Sequence, residues 1–295
     1  MRFLKIIGII IILLAVGYLL GPHPSPASFN NTLPNIPDHI NLDSLVQAGE
    51  QQHRLKANNE AKIVWADSLH QPTEYAIIYL HGFSASRMEG APVHENIAKA
   101  FHCNLYLARL AEHGIDTTED LMNLTAEKYW ESAKQAYAIG KKLGKKVIIM
   151  STSTGGTLSL QLAAAFPEIA GLVMYSPNIE INNAAAPLLN NPWGLQIARA
   201  VKGGNYADIP FKNSEYPKYW NTHYRMESTV ELQNLMEATM TKETFQKVHQ
   251  PTLILYYYKD EANQDEVVKV SAIKKMLSEI STPENLKKGI AIPNA

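Results

Sequence analysis

Short apolar runs alternate with longer amphipathic ones along most of this chain. AKIVWAD (61–67), YAIIYL (75–80), NLYLARL (104–110), KVIIM (146–150), GLVMYS (171–176) and TLILYYY (252–258) are brief and rich in β-branched or aromatic residues. Several are apolar on both faces, as strands are in a sheet covered on both sides by helices. Between them, VHENIAKAF (93–101), AEKYWESAKQAYAIGKKLG (126–144) and GTLSLQLAAAF (156–166) carry the helical period. The second sets Trp130, Ala133, Tyr137 and Gly140 on one face and closes with Lys141 and Lys142 ahead of Gly144, a helix C-terminus. The alternation predicts an α/β fold with a mostly parallel sheet flanked by helices. LKKGIAIPNA (286–295) reads as its last strand.

The regularity breaks after Ser176, where some 75 residues pass before the next strand. A structureless loop of that length is improbable, and the stretch contains helical patterns such as TVELQNLMEATMTKETFQKV. A helical cap insertion is expected over 177–249, dividing the sheet domain into 46–176 and 250–295. Ahead of it, residues 22–45 hold five prolines through Pro37 and few apolar clusters, the composition of a linker.

At the N-terminus, Arg2 and Lys5 precede an apolar run from Ile6 to Leu20 that Gly21 and Pro22 stop. As a helix, residues 3–20 would extend about 27 Å, close to the roughly 30 Å hydrocarbon core of a bilayer. Residues 1–21 are therefore expected to be a transmembrane anchor with the main domain extracytoplasmic. A cleaved signal peptide is the competing reading, because Ser25-Pro26-Ala27 offers small residues at a cleavage site. Both readings export the domain.

Composition narrows the function by exclusion. A net charge of −1 supplies no basic field for nucleic acid. The single cysteine, Cys103, cannot form an internal disulfide, and its neighbours FHCNLYLARL make it a packed thiol.

Candidate chemistry centres on VIIMSTSTGGTLSL (147–160), a strand, a tight turn and a helix with Ser153 at the turn. A nucleophilic serine in such a turn follows the pattern G-x-S-x-G, whose outer positions must be small because strand and helix backbones come close. Here the window is Ser151-Thr152-Ser153-Thr154-Gly155, with serine replacing the first glycine. Upstream, YAIIYLHGFSAS places His81-Gly82 at the end of a buried strand.

Together these pieces resemble the α/β-hydrolase superfamily, and within it the bacterial monoacylglycerol-lipase-like and serine-aminopeptidase-like branch. RLAEHGI (109–115) and the insertion match the branch as well, and the resemblance runs from about Ala61 to the C-terminus. It implies an α/β-hydrolase fold with a helical cap and acyl transfer to water through an acyl-enzyme on Ser153. The backbone N–H groups of Phe83 and Thr154 would form the oxyanion hole. Gly82 and the cap's Trp193 would border the substrate, a small ester or acyl compound. No metal or organic cofactor is implied. The acid would follow TLILYYY, where YYYKDEANQDEVVKV offers two choices. Asp260 fits a count along the strand; Asp265 fits the family's D-x-V-V segment and is preferred.

The superfamily's order is serine, acid, histidine, yet the last of the ten histidines is His249. Three explanations stay open. The sequence is C-terminally shortened before the histidine loop, or His223 of the cap acts as base, or the protein is a non-catalytic relative that uses the pocket for binding. A serine without its base would leave the 295-residue form weak or inactive. A small-residue aminopeptidase is the nearest enzyme alternative, and it would need Glu227, Glu231 or Glu237 to hold the free amine.

Overall fold

The computed structural model describes residues 2–211 and 213–294. Its strands are β1 (Lys62–Val64), β2 (Thr73–Leu80), β3 (Asn104–Leu107), β4 (Gly144–Thr152), β5 (Gly171–Tyr175), β6 (Tyr206–Asp208), β7 (His223–Arg225), β8 (Thr252–Asp260), β9 (Asn263–Gln264) and β10 (Lys287–Ile292). The helices are α1 (Arg2–Leu19), α2 (Leu42–Glu50), α3 (Val93–Ala100), α4 (Ala126–Leu143), α5 (Thr154–Ala165), α6 (Gly194–Lys202), α7 (Tyr216–Tyr219), α8 (Glu227–Thr239), α9 (Lys242–Phe245) and α10 (Val270–Glu279).

The main sheet runs β1-β3-β2-β4-β5-β8-β10, and every pair is parallel except β1 with β3. Its centre is where the apolar runs lie: Ala76, Ile78, Tyr79, Leu80 and Ile149 are fully buried. Helix α4 covers one face with Trp130, Ala133 and Tyr137, the stripe read from its period. Gly144, expected as a helix terminator, is extended and opens β4 directly. A side chain there would strike the Ala76 backbone nitrogen, so close packing rather than a left-handed turn selects glycine.

Three expectations need correction. First, among the described residues no helix is long and apolar enough to cross a membrane. Lys5 restricts the uninterrupted apolar run of α1 to Ile6–Leu19, about 21 Å of helix, well short of the core. What stands is an apolar helix whose large side chains are exposed from Phe3 to Leu19. Second, residues 22–40 lie along the domain rather than free. Phe29 meets Trp130 edge-on at 6.3 Å, the Trp130 indole donates to Asn30 O at 2.7 Å, and the Lys134 ammonium donates to Thr32 O at 2.9 Å. Third, the cap is not wholly helical: β6 and β7 pair antiparallel within it. The expectation that Ala295 closes a shortened chain falls outside the described residues.

Candidate active site

The site is built where β4 turns into α5. Ser153 has φ 51° and ψ −117°, a strained combination that persists only where the surroundings over-determine it. They do so here: the Ser153 N–H donates to Tyr175 O at 2.9 Å, and its carbonyl accepts from Gly156 N (2.8 Å) and Asn178 N (2.9 Å). Gly155 has no room for a side chain, because a Cβ would overlap the Leu80 carbonyl oxygen. Serine at 151 is accommodated because its buried hydroxyl receives a hydrogen bond from Ser159 Oγ at 2.9 Å. Ser153 keeps partial exposure at the sheet's C-terminal edge.

The loop after β2 comes up beside it. A Cβ on Gly82 would stand 3.2 Å from Ser153 Cβ. Among the described residues neither the Phe83 nor the Thr154 N–H donates a hydrogen bond, and Thr154 begins α5 at the positive end of its dipole. Two buried histidines hold this loop in shape. His81 donates from Nδ1 to Gly82 O (2.9 Å) and accepts the Leu110 N–H at Nε2 (3.1 Å). His113 donates from Nδ1 to Ala111 O (2.7 Å), and its Nε2 accepts from Ser84 N and the Tyr129 hydroxyl (3.0 Å each). Burial lowers His81 to a pKa of about 4 and His113 well below the ordinary imidazole value, so both are neutral struts.

The two candidate acids occupy different positions. Strand β8 continues into a hairpin with β9, and Asp260 lies exposed at its tip. There Oδ1 accepts from Ala262 N, Asn263 N and the Asn263 side chain at 2.8–3.0 Å. The Asn263 side-chain bond holds its pKa below the usual carboxylate value. Asp265 follows the hairpin, back at the sheet edge, where its N–H donates to Tyr257 O at 3.2 Å. Its Oδ1 accepts from Val267 N and Val268 N at 2.9 and 3.0 Å.

Other expected participants lie elsewhere. Trp193 faces the N-terminal segment: its indole donates to Gly17 O (3.0 Å), its N–H to Pro22 O (2.9 Å), and the ring packs on Gly21. The structure thus engages it with the N-terminal segment rather than with Ser153. His223 sits on the cap surface, paired with Asp208 at 2.7 Å and stacked on Tyr206. Of the cap glutamates, Glu227 pairs with Arg199 and Arg225, Glu231 accepts from Ala126 N, and Glu237 binds Asn190 and Gln233. Among the described residues no cluster could hold a metal ion. Cys103 is buried, and burial raises its thiol pKa.

Sequence reasoning missed Glu89. Its Oε2 accepts the Gly82 N–H at 2.7 Å and faces the Tyr79 hydroxyl at 3.4 Å; that hydroxyl also meets Thr152 Oγ1 at 2.9 Å. Burial raises the Glu89 pKa to about 7. The only signal was an acidic residue two places after Arg87 in the turn SRMEG, and such a residue ordinarily reads as solvated.

Comparison with known proteins fits this geometry. The chain superimposes on a structure from work on LipS and LipT, two metagenome-derived lipolytic enzymes, with a TM-score of 0.66 and 17% identity over 82% of this chain and 90% of that one. It also superimposes on Paleococcus ferrophilus monoacylglycerol lipase, with a TM-score of 0.57 and 13% identity over 79% of this chain and 87% of the other. The fold is thus that of the α/β hydrolases. In sequence it is similar to the thermostable monoacylglycerol lipase of Bacillus sp. (strain H-257), 31% identical over 110 residues, which are 37% of this chain and 43% of that lipase. The likeness is therefore to the monoacylglycerol-lipase-like branch, with less than half of the lipase's length matched. No family model matches.

Proposed function

We propose that this protein is a serine hydrolase that cleaves carboxylic esters through an acyl-enzyme on Ser153. The observation that carries the reading is the strained φ of 51° at Ser153, fixed at the mouth of α5 with Gly82 against it. Strain of this kind is kept where it serves a reaction. In the proposed reaction Ser153 Oγ attacks the ester carbonyl, and the oxyanion is received by the N–H groups of Phe83 and Thr154. The alcohol leaves with a proton, and water then releases the acid. Asp265 is the acid of the triad: its Oδ1 is fixed by two backbone N–H groups, and Oδ2 remains to orient an imidazole. Asp260 stabilises the hairpin turn. The imidazole belongs after β10 in this fold, and His81, His113 and His223 are engaged in other contacts.

Substrate class follows the resemblance, a small ester with an aliphatic acyl chain. The exposed apolar side chains of α1 need apolar cover, and we assign that cover to lipid, with the domain held at a membrane surface on the extracytoplasmic side. A non-catalytic binding role is the second reading, favoured by the engagement of His81, His113 and His223 in contacts that do not include Ser153.

Fluorophosphonate labelling with peptide mapping separates the two. The ester-cleaving reading expects modification at Ser153 that is lost, by a factor of about 10³ or more, in Ser153→Ala. Wild-type labelling no faster than that of the variant would leave the binding role.

A further inference from the structure

The loop that carries Phe83 is held from two bodies. From the core, His81 Nδ1 donates to Gly82 O at 2.9 Å, the oxygen of the peptide plane that bears the Phe83 N–H. His113 Nε2 accepts the Ser84 N–H at 3.0 Å. From the cap, the Asn221 N–H donates to Ser84 O at 2.7 Å, and the Tyr224 ring meets the Phe83 ring edge-on at 5.1 Å. Ser84 needs this grip. Its φ of 62° is left-handed, a conformation that a residue other than glycine keeps only where its surroundings impose it. Asn221 is in turn fastened by an ion pair. Lys56, on the arm before β1, donates from Nζ to Asn221 Oδ1 at 2.6 Å and to Asp120 Oδ2 at 3.0 Å. Asn221 and Asp120 are 3% and 7% exposed, and each keeps one buried side-chain atom without a partner, Nδ2 and Oδ1. Among the described residues the Lys56 ammonium is the sole hydrogen-bond partner of either side chain.

We propose that Asn221 is a positioning residue of the oxyanion hole, and that Lys56 and Asp120 form the latch that seats it, so that the cap must be closed on the loop for Ser153 to be acylated. The proposal rests on the ester-cleaving reading and adds how that site is regulated. With the cap seated, Ser84 O is bound and Ser84 stays left-handed. With the cap lifted, Ser84 loses its carbonyl partner and Phe83 its aromatic wall. The strained residue then relaxes toward the regions that side-chain-bearing residues prefer, and the Phe83 N–H turns away from the place where the oxyanion forms. An oxyanion donor acts through its fixed direction, so a displacement of about 1 Å is enough to lose it. Substrate binding is largely independent of the latch, because the hole is filled by the charge that develops in the transition state.

Hydrogen exchange reads the loop whether or not Ser153 reacts. Lys56→Met and Asn221→Ala each undo the latch and leave every backbone N–H in place. Both should speed exchange over residues 83–86 by about tenfold and leave α5 unchanged. With imidazole supplied, fluorophosphonate labelling of Ser153 should show the split that a positioning role requires: kinact falls on the order of tenfold or more, while KI stays within about twofold. Arg199→Met, which breaks the cap's own ion pair with Glu227, should move neither. Should Lys56→Met lose its thermal transition because Asp120 is left buried and unpaired, Lys56→Met/Asp120→Asn carries the same comparison. Unchanged exchange over 83–86 in variants that fold overturns the coupling. Faster exchange with an unchanged kinact, or slower labelling carried by KI, overturns the positioning role. A parent chain that does not label, with exchange over 83–86 still faster in the variants, would sink the ester-cleaving reading and leave the cap's grip on the loop standing.

Discussion

The two halves of the candidate site are built in contrasting ways. The serine half is rigid from all sides: β4 lies between β2 and β5, α5 is buried on every face, and glycine at 155 lets backbone touch backbone. The acid half is a hairpin that projects from the end of β8, exposed at its tip and anchored mainly by Asp265 at its base. The difference teaches that a strained nucleophile needs an over-determined frame, while the acid needs only one fixed oxygen.

The largest way to break this contrast is on the serine side. Gly155→Ala places a methyl group into the Leu80 carbonyl, a backbone atom that cannot yield without moving β2. Overpacking of this kind should cost about 3 kcal/mol or more, read as a fall in the urea midpoint. A variant as stable as the parent would mean that strand and helix are farther apart than the structure has them.

A smaller effect is expected on the acid side. With imidazole supplied in solution, Ser153 labelling should accelerate, and Asp265→Asn should remove most of that gain, on the order of tenfold. Asp260→Asn should keep it within about twofold, because its carboxyl serves the turn. The reverse ranking would move the triad acid to the hairpin tip.

These regions were also unequally legible in the sequence. The strands of the sheet, helix α4 and the Ser153 turn could be read because apolar runs and small residues at fixed offsets report local geometry. Asp265 was preferred to Asp260 only on the D-x-V-V segment, since the answer depends on whether 260–264 continues β8 or folds back as β9, and YYYKDEANQDE suits both. Trp193 was misplaced because an exposed aromatic in a cap looks the same whether it borders a pocket or clamps the chain at Gly17 and Pro22. Glu89 was invisible for a further reason. Its significance lies in approaching Gly82 and Ser153 in space, and nothing in its flanking residues states that approach.

Glu89 also gives the subtlest prediction, one that tests whether the rigid half carries a stability cost. Its folded pKa of about 7 lies above the ordinary glutamate value because burial disfavours the charge. Folding therefore favours the protonated form: the contribution to stability is full below about pH 4.5 and is lost as pH rises through about 7. Glutamine cannot ionise and retains an acceptor for Gly82 N–H. Relative to wild type, Glu89→Gln should be close to neutral at pH 5 and more stable at pH 8. The gain should be about 2 kcal/mol, discounted for the residue's residual exposure. Thermal unfolding at the two pH values reads the difference directly. A variant that loses stability at pH 8 would show that the carboxylate is solvated or paired in solution, and the frame around Ser153 would then hold no buried charge at all.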